Sequence, residues 1–123
     1  MSLCLAVGGK ITALAFTAFT LSWTHSVERV RWEEDWQLTG NKLQLVEARV
    51  KGSGAGMEPP ANAVLRDGWL RWKPELPAQK QLVLAASGAT SGGWTLCGAD
   101  KTCFEIGREA AEPTHLQSCD RKP

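Results

Sequence analysis

Two successive segments between Phe19 and Leu38 alternate apolar and polar residues, and that rhythm constrains the fold more than any other feature of the chain. Phe19, Leu21, Trp23, His25 and Val27 fall on one face of an extended segment, with Thr20, Ser22, Thr24, Ser26 and Glu28 on the other. The next segment repeats the pattern, with Val30, Trp32, Glu34, Trp36 and Leu38 opposite Arg29, Arg31, Glu33, Asp35 and Gln37. Period two is the signature of a half-buried strand, because successive side chains of a strand point to opposite faces of the sheet.

Turn signals cut the rest of the chain into pieces of strand length. Gly8-Gly9-Lys10 separates Leu3–Val7 from a strand starting near Ile11, and Thr39-Gly40-Asn41-Lys42 leads into a β-prone stretch over Leu43–Lys51. Asp67-Gly68, a strong two-residue hairpin signal, joins Val64-Leu65-Arg66 to Trp69–Trp72. Gln81–Ala85 reads as a short strand, and Trp94–Cys97 with Thr102–Ile106 as a third hairpin around Gly98-Ala99-Asp100-Lys101. Thr114–Cys119 makes a last strand. Pro59-Pro60, Pro74 and Pro77 mark loops, because proline lacks the amide hydrogen that a sheet ladder needs. The expectation is an all-β fold, a small antiparallel sandwich or barrel-like domain built from hairpins, with at most one short helical turn near residues 107–113. At 123 residues the chain is the length of one domain. Residues 1–119 form that domain in this reading, and 120–123 a C-terminal tail.

Charge and cysteine content narrow the function classes. Fourteen Lys and Arg against thirteen Asp and Glu give a formal net charge of +1. That balance lacks the basic excess with which nucleic-acid binders neutralise phosphates, so no nucleic-acid partner is expected. The apolar start over residues 3–23 is broken by Gly8-Gly9-Lys10 and has no basic n-region, so it reads as a pair of strands rather than a signal or a membrane span. The absence of a clear signal peptide points to a cytoplasmic location, with a periplasmic or membrane-associated one as the alternative. Four cysteines, Cys4, Cys97, Cys103 and Cys119, allow two disulfides in three possible pairings if the protein is exported. Their spacing does not suit a metal site, and no cofactor motif occurs.

Two polar residues interrupt the apolar strand faces, His25 and Glu34. A hairpin placing His25 opposite Glu34 also sets Trp23 opposite Trp36 and Leu21 opposite Leu38, with all six on one face. A buried carboxylate needs such a partner, since an unpaired one costs several kcal/mol. Ser26 and His25 are neighbours on a strand and point apart, which excludes them as nucleophile and base. The segment Gly52-Ser53-Gly54-Ala55-Gly56-Met57-Glu58 can approach a ligand closely or form an anion nest from successive amides. Equally it can form a tight corner with Met57 as an apolar plug. Of the six tryptophans, Trp23, Trp32 and Trp36 read as core, and at least one of Trp69 and Trp72 as exposed.

The segments HSVERVRWEEDW (25–36), RVKGSGAGMEPP (49–60) and DGW (67–69) together resemble the bacterial domain of unknown function number 1850. The resemblance implies a small bacterial domain with no established activity, often encoded beside the membrane permease of TAXI-type tripartite ATP-independent periplasmic (TRAP) transporters, which take up organic acids. It implies no catalytic residues. The motif positions His25, Ser26, Glu28, Glu34, Gly54, Gly56, Met57 and Glu58 are the candidate ligand-binding residues. The function expected first is therefore a non-enzymatic accessory or interaction domain, with the TRAP permease as its partner. The alternative is a binding domain for a small carboxylate or other anion, using the 52–58 loop near His25. An enzyme with His25 and Glu34 as acid–base partners ranks last.

Overall fold

The computed structural model describes residues 2–24, 30–52, 60–85, 93–107 and 112–120, and these hold eleven strands and no helix. The strands are β1 (Ser2–Val7), β2 (Lys10–Leu14), β3 (Ala18–Thr24), β4 (Arg31–Thr39), β5 (Lys42–Lys51) and β6 (Val64–Arg66). They continue with β7 (Trp69–Trp72), β8 (Gln81–Leu84), β9 (Trp94–Gly98), β10 (Cys103–Ile106) and β11 (Thr114–Cys119). A four-stranded sheet runs β2-β1-β11-β8, and a seven-stranded sheet runs β10-β9-β3-β4-β5-β7-β6. All the pairings are antiparallel, and the two sheets form a sandwich-like arrangement.

The apolar start over residues 3–23 holds three strands, β1, β2 and nearly all of β3, where the sequence pattern predicts a pair. The hairpin at Asp67-Gly68 forms with both residues at positive φ, 56° and 81°, the backbone that a two-residue turn between twisted strands demands. Gly98 serves a different need. A β-carbon there would overlap the Phe16 ring, so glycine alone lets that ring lie against β9. Of the expected helical turn near 107–113, residues 108–111 lie outside the described set, and Gly107, Glu112 and Pro113 are not helical.

Two departures from the sequence pattern have clear causes. The β3–β4 register is not the expected one, because Leu21 pairs with Glu34, Trp23 with Trp32 and Phe19 with Trp36. The expected pairing of Trp23 with Trp36 and Leu21 with Leu38 is displaced by four residues. An even shift keeps every side chain on its original face, so alternation could not distinguish the two registers. The observed one brings three indoles side by side, since Trp23 also pairs with Trp94 of β9.

The second departure is the mixed polarity of Leu43–Lys51. The β4–β5 register slips between Asp35 and Trp36, so Asp35 pairs with Glu47 and Trp36 with Leu45, leaving Val46 as the extra residue of a β-bulge. The bulge moves the inward positions of β5 from Val50 and Ala48 to Leu45 and Leu43, all four of which are buried.

The core between the sheets comprises Leu3 and Leu116 from the small sheet's centre, Leu84 from β8, and Phe19, Leu21, Trp36, Leu43, Leu45, Leu96 and Ile106 from the large sheet. No residue of β6 or β7 belongs to it. Four strands cannot oppose seven, and the β7-β6 side of the large sheet extends beyond the core.

Candidate functional site

Strand alternation and register fix what the extended part of the inner face presents. Trp94, Trp23, Trp32, Val50, Leu70 and Leu65 follow one another across β9, β3, β4, β5, β7 and β6. The rings touch in sequence. Trp23 lies 4.9 Å from Trp94 and 6.3 Å from Trp32, stacked on the latter at 11°, and Trp72 meets Trp32 edge-on at 6.1 Å. Offset and edge-to-face contacts of this kind hold aromatic rings in fixed orientations. Trp94 is further pinned by donating from Nε1 to the Ala85 carbonyl at 3.0 Å.

Only Trp36 of the six tryptophans is buried; Trp23, Trp32, Trp69, Trp72 and Trp94 are all partly exposed. Trp23, though part-exposed, packs against the core cluster, as Trp94 does, whereas Trp32 is outside that cluster, and the expectation of a core position is corrected for Trp32. Leu65 at the far edge is 60% exposed. A row of rigid indoles leading to an open aliphatic edge is an uncommon surface for an isolated domain.

Glu34 sits within this face, between Leu21 and Ala48 in register, and accepts a hydrogen bond from Trp36 Nε1 at 3.2 Å. Burial pushes its carboxyl above the usual glutamate value, against the smaller opposing effect of the indole bond. A raised carboxyl pKa means the ionised form is disfavoured in the fold, a cost present above the folded value and absent below the unfolded one. Glu34→Gln, which keeps an acceptor for Trp36, is therefore expected to raise Tm at pH 7. The gain fades as the pH falls toward 4.5, the ordinary glutamate value. Thermal unfolding across pH checks this; a Gln variant less stable than the parent at pH 7 would contradict it.

The outer face of the same sheet is charged and was not singled out by the sequence. Arg49 of β5 reaches Glu33 at 2.7 Å, Asp35 at 2.7 Å and Glu47 at 2.8 Å, with its own side chain only 13% exposed. Arg71 of β7 adds a contact to Glu47 at 3.2 Å. Thr20 Oγ1 donates to Asp35 at 2.7 Å, and Arg31 donates to the Ser22 hydroxyl at 2.6 Å. Burial opposes the Asp35 charge, but hydrogen bonds from Arg49 and Thr20 and the positive charges of Arg49 and Arg71 outweigh it, so its carboxyl is held below the usual range. The signal available in the sequence was the alternation of Glu33, Asp35, Glu47 and Arg49. What hid it was the bulge, which decides that Glu47 shares a face with Asp35.

Of the eight candidate residues, Glu34 alone is described. His25, Ser26, Glu28, Gly54, Gly56, Met57 and Glu58 lie outside the described residues, so the His25–Glu34 pairing and the 52–58 loop site are not placed. The described strands end at Thr24, next to Trp23, for β3 and at Lys51, next to Val50, for β5. The cysteines resolve into Cys4–Cys119, which ties β1 to β11, and Cys97–Cys103, which bridges directly paired residues of β9 and β10. Among the described residues no group of three or more His, Cys, Asp or Glu side chains is placed to hold a metal ion.

Fold and site together define a small disulfide-bonded β-sandwich with an aromatic face on its larger sheet. The family model of the Domain of unknown function (DUF1850) matches residues 19–104, from β3 into β10, and the chain belongs to that family. The match takes in both faces of the seven-stranded sheet and the Cys97–Cys103 bridge, while β1, β2, β11 and the Cys4–Cys119 bridge lie outside it. No curated protein and no solved structure matches the chain.

Proposed function

We propose that this chain is a non-enzymatic accessory domain that docks onto a protein partner through the β7-β6 side of its large sheet. The observation that carries the reading is the group of part-exposed indoles Trp94, Trp23, Trp32 and Trp72 together with the open Leu65 edge, with buried Val50 and Leu70 between them. Rigid indoles bring large contact area at little entropic cost, which is why tryptophan is enriched among the residues that dominate binding energy. Half-buried Glu34, two residues along β4 from Trp32 on the same face, suits a partner bearing a basic or hydrogen-bond-donating side chain among apolar ones.

The family resemblance makes the membrane permease of a TAXI-type TRAP transporter the partner to test. Two disulfides support a setting outside the cytoplasm, because such bonds persist in oxidising compartments. The test is binding of the purified domain to detergent-solubilised permease, comparing the parent with Leu65→Asp and Trp72→Ala. Both changes fall outside the core cluster, so the variants should fold with parental circular dichroism. Each is expected to weaken binding at least about tenfold, the scale of a lost hot-spot side chain. Permease binding that is absent, or unchanged in both folded variants, would overturn the proposal.

A further inference from the structure

The β5 bulge has an effect on the opposite face of the large sheet. By adding Val46, it sets Val46 beside Glu47 on the outer side, at the foot of the β6–β7 hairpin. Bulges recur next to binding sites because they re-aim side chains in this way. A cavity of about 400 Å³ opens there, walled by Arg66 of β6, Arg71 of β7, Lys73 just after it and Asn62 just before β6. A neighbouring depression of about 430 Å³ shares Val46, Asn62 and Lys73, so the two form one groove. Asn62 Nδ2 donates to the Lys73 carbonyl at 3.1 Å and ties the two ends of the hairpin together.

The charge of the first cavity is one-sided. Three cations face one carboxylate there, Glu47, and Glu75 lines the neighbouring depression, so the whole groove holds three cations against two carboxylates in a chain whose formal net charge is only +1. Glu47 is already held between Arg49 at 2.8 Å and Arg71 at 3.2 Å. Arg66 and Lys73 have no ion-pair partner among the described residues. Among the described residues Arg71 donates its one side-chain bond, from Nη1, to Glu47, and its buried Nε has no partner. Guanidinium groups present planar forks of donors that match carboxylate and phosphate oxygens, with lysine adding a mobile point charge.

We propose that the groove between the β5 bulge and the β6–β7 hairpin is a binding site for a small oxyanion carrying two or more negative charges, held by Arg66, Arg71 and Lys73. Arg66 and Arg71 are on the outer face and the proposed docking surface is on the inner one; Trp72 borders both, so the variant that tests the anion site leaves it unchanged. Arg66 and Lys73 are open to solvent, and binding weakens as salt screens them.

Isothermal titration of the intact domain at fixed ionic strength, with sodium citrate and with inorganic phosphate as separate probes, tests the site. Arg66→Ala/Lys73→Ala is the comparison variant, since both side chains are exposed and the core does not need them. Saturable binding of either probe that falls at least about tenfold in the double variant is the expected result. Citrate alone would assign a polycarboxylate, phosphate alone a phosphorylated ligand, and both a general oxyanion site. Failure of both probes to saturate on the parent, or equal affinity in the folded double variant, would overturn the proposal.

Discussion

Replacing Cys4 and Cys119 together with alanine is expected to cost the domain about 4 kcal/mol, within the range of about 2–5 found for native disulfides in small domains. The bridge spans a sequence separation of 115, nearly the whole chain, with its Cα atoms 5.9 Å apart. Cross-linking so distant a pair removes many conformations from the unfolded chain, about 4.7 kcal/mol for a loop near 100 residues in the chain-entropy account. It also holds β1 against β11, the pair that carries Leu3 and Leu116 into the core. Cys97–Cys103 spans a separation of 6 across one hairpin, so the same account gives its removal about half that effect. Denaturant unfolding of the two double variants measures the contrast directly. A larger loss from the Cys97–Cys103 variant would contradict it.

Loss of Arg49 is the second large effect. One guanidinium, mostly buried, holds three carboxylates at 2.7–2.8 Å on the outer face of β4 and β5. Arg49→Met leaves Glu33, Asp35 and Glu47 facing one another with only Arg71 nearby. Breaking a buried ion pair costs about 3–5 kcal/mol, and the partial exposure of these carboxylates reduces the expected loss to about 3 kcal/mol at pH 7. Arg49→Lys should recover only part of it, since an ammonium lacks the planar fork.

The pH dependence carries the same mechanism. Asp35 has its carboxyl held below the usual 3.8, so its contribution is present above that value and is lost as the pH falls through the lower folded one. The Arg49→Met variant should therefore lose less stability than the parent between pH 5 and pH 2. Equal losses on acidification would show that Asp35 draws its stabilisation from elsewhere.

Strands and turns were legible in this sequence because each carried a local signal. The Asp67-Gly68 hairpin, the break between β1 and β2 at Gly8-Gly9 and the last strand at Thr114–Cys119 follow from turn chemistry and alternation alone. The register of β3 against β4 did not, because a four-residue slip leaves both faces intact and the connecting residues contain no turn-forming glycine or asparagine. The bulge at Val46 was also invisible, and with it the grouping of Arg49 with three carboxylates and the basic groove beside it. These depend on which residue of β5 faces which residue of β4, a long-range fact that no local pattern encodes. Glu34 stood out correctly as a polar residue on an apolar face, but the partner seen for it is the Trp36 indole. The cysteine pairing required the meeting of β1 with β11, another long-range contact.

The central claim is that the tryptophan row on the inner face receives a partner, and fluorine NMR tests it most directly. The chain has six tryptophans, so a domain labelled with 5-fluorotryptophan gives one resonance for each, assigned by single Trp→Phe changes. On titration with the solubilised TAXI-type permease, the resonances of Trp32 and Trp72 should shift or broaden first, while that of buried Trp36 stays in place. A titration that leaves Trp32 and Trp72 unchanged, or that moves only Trp69 on the opposite face, would contradict the account.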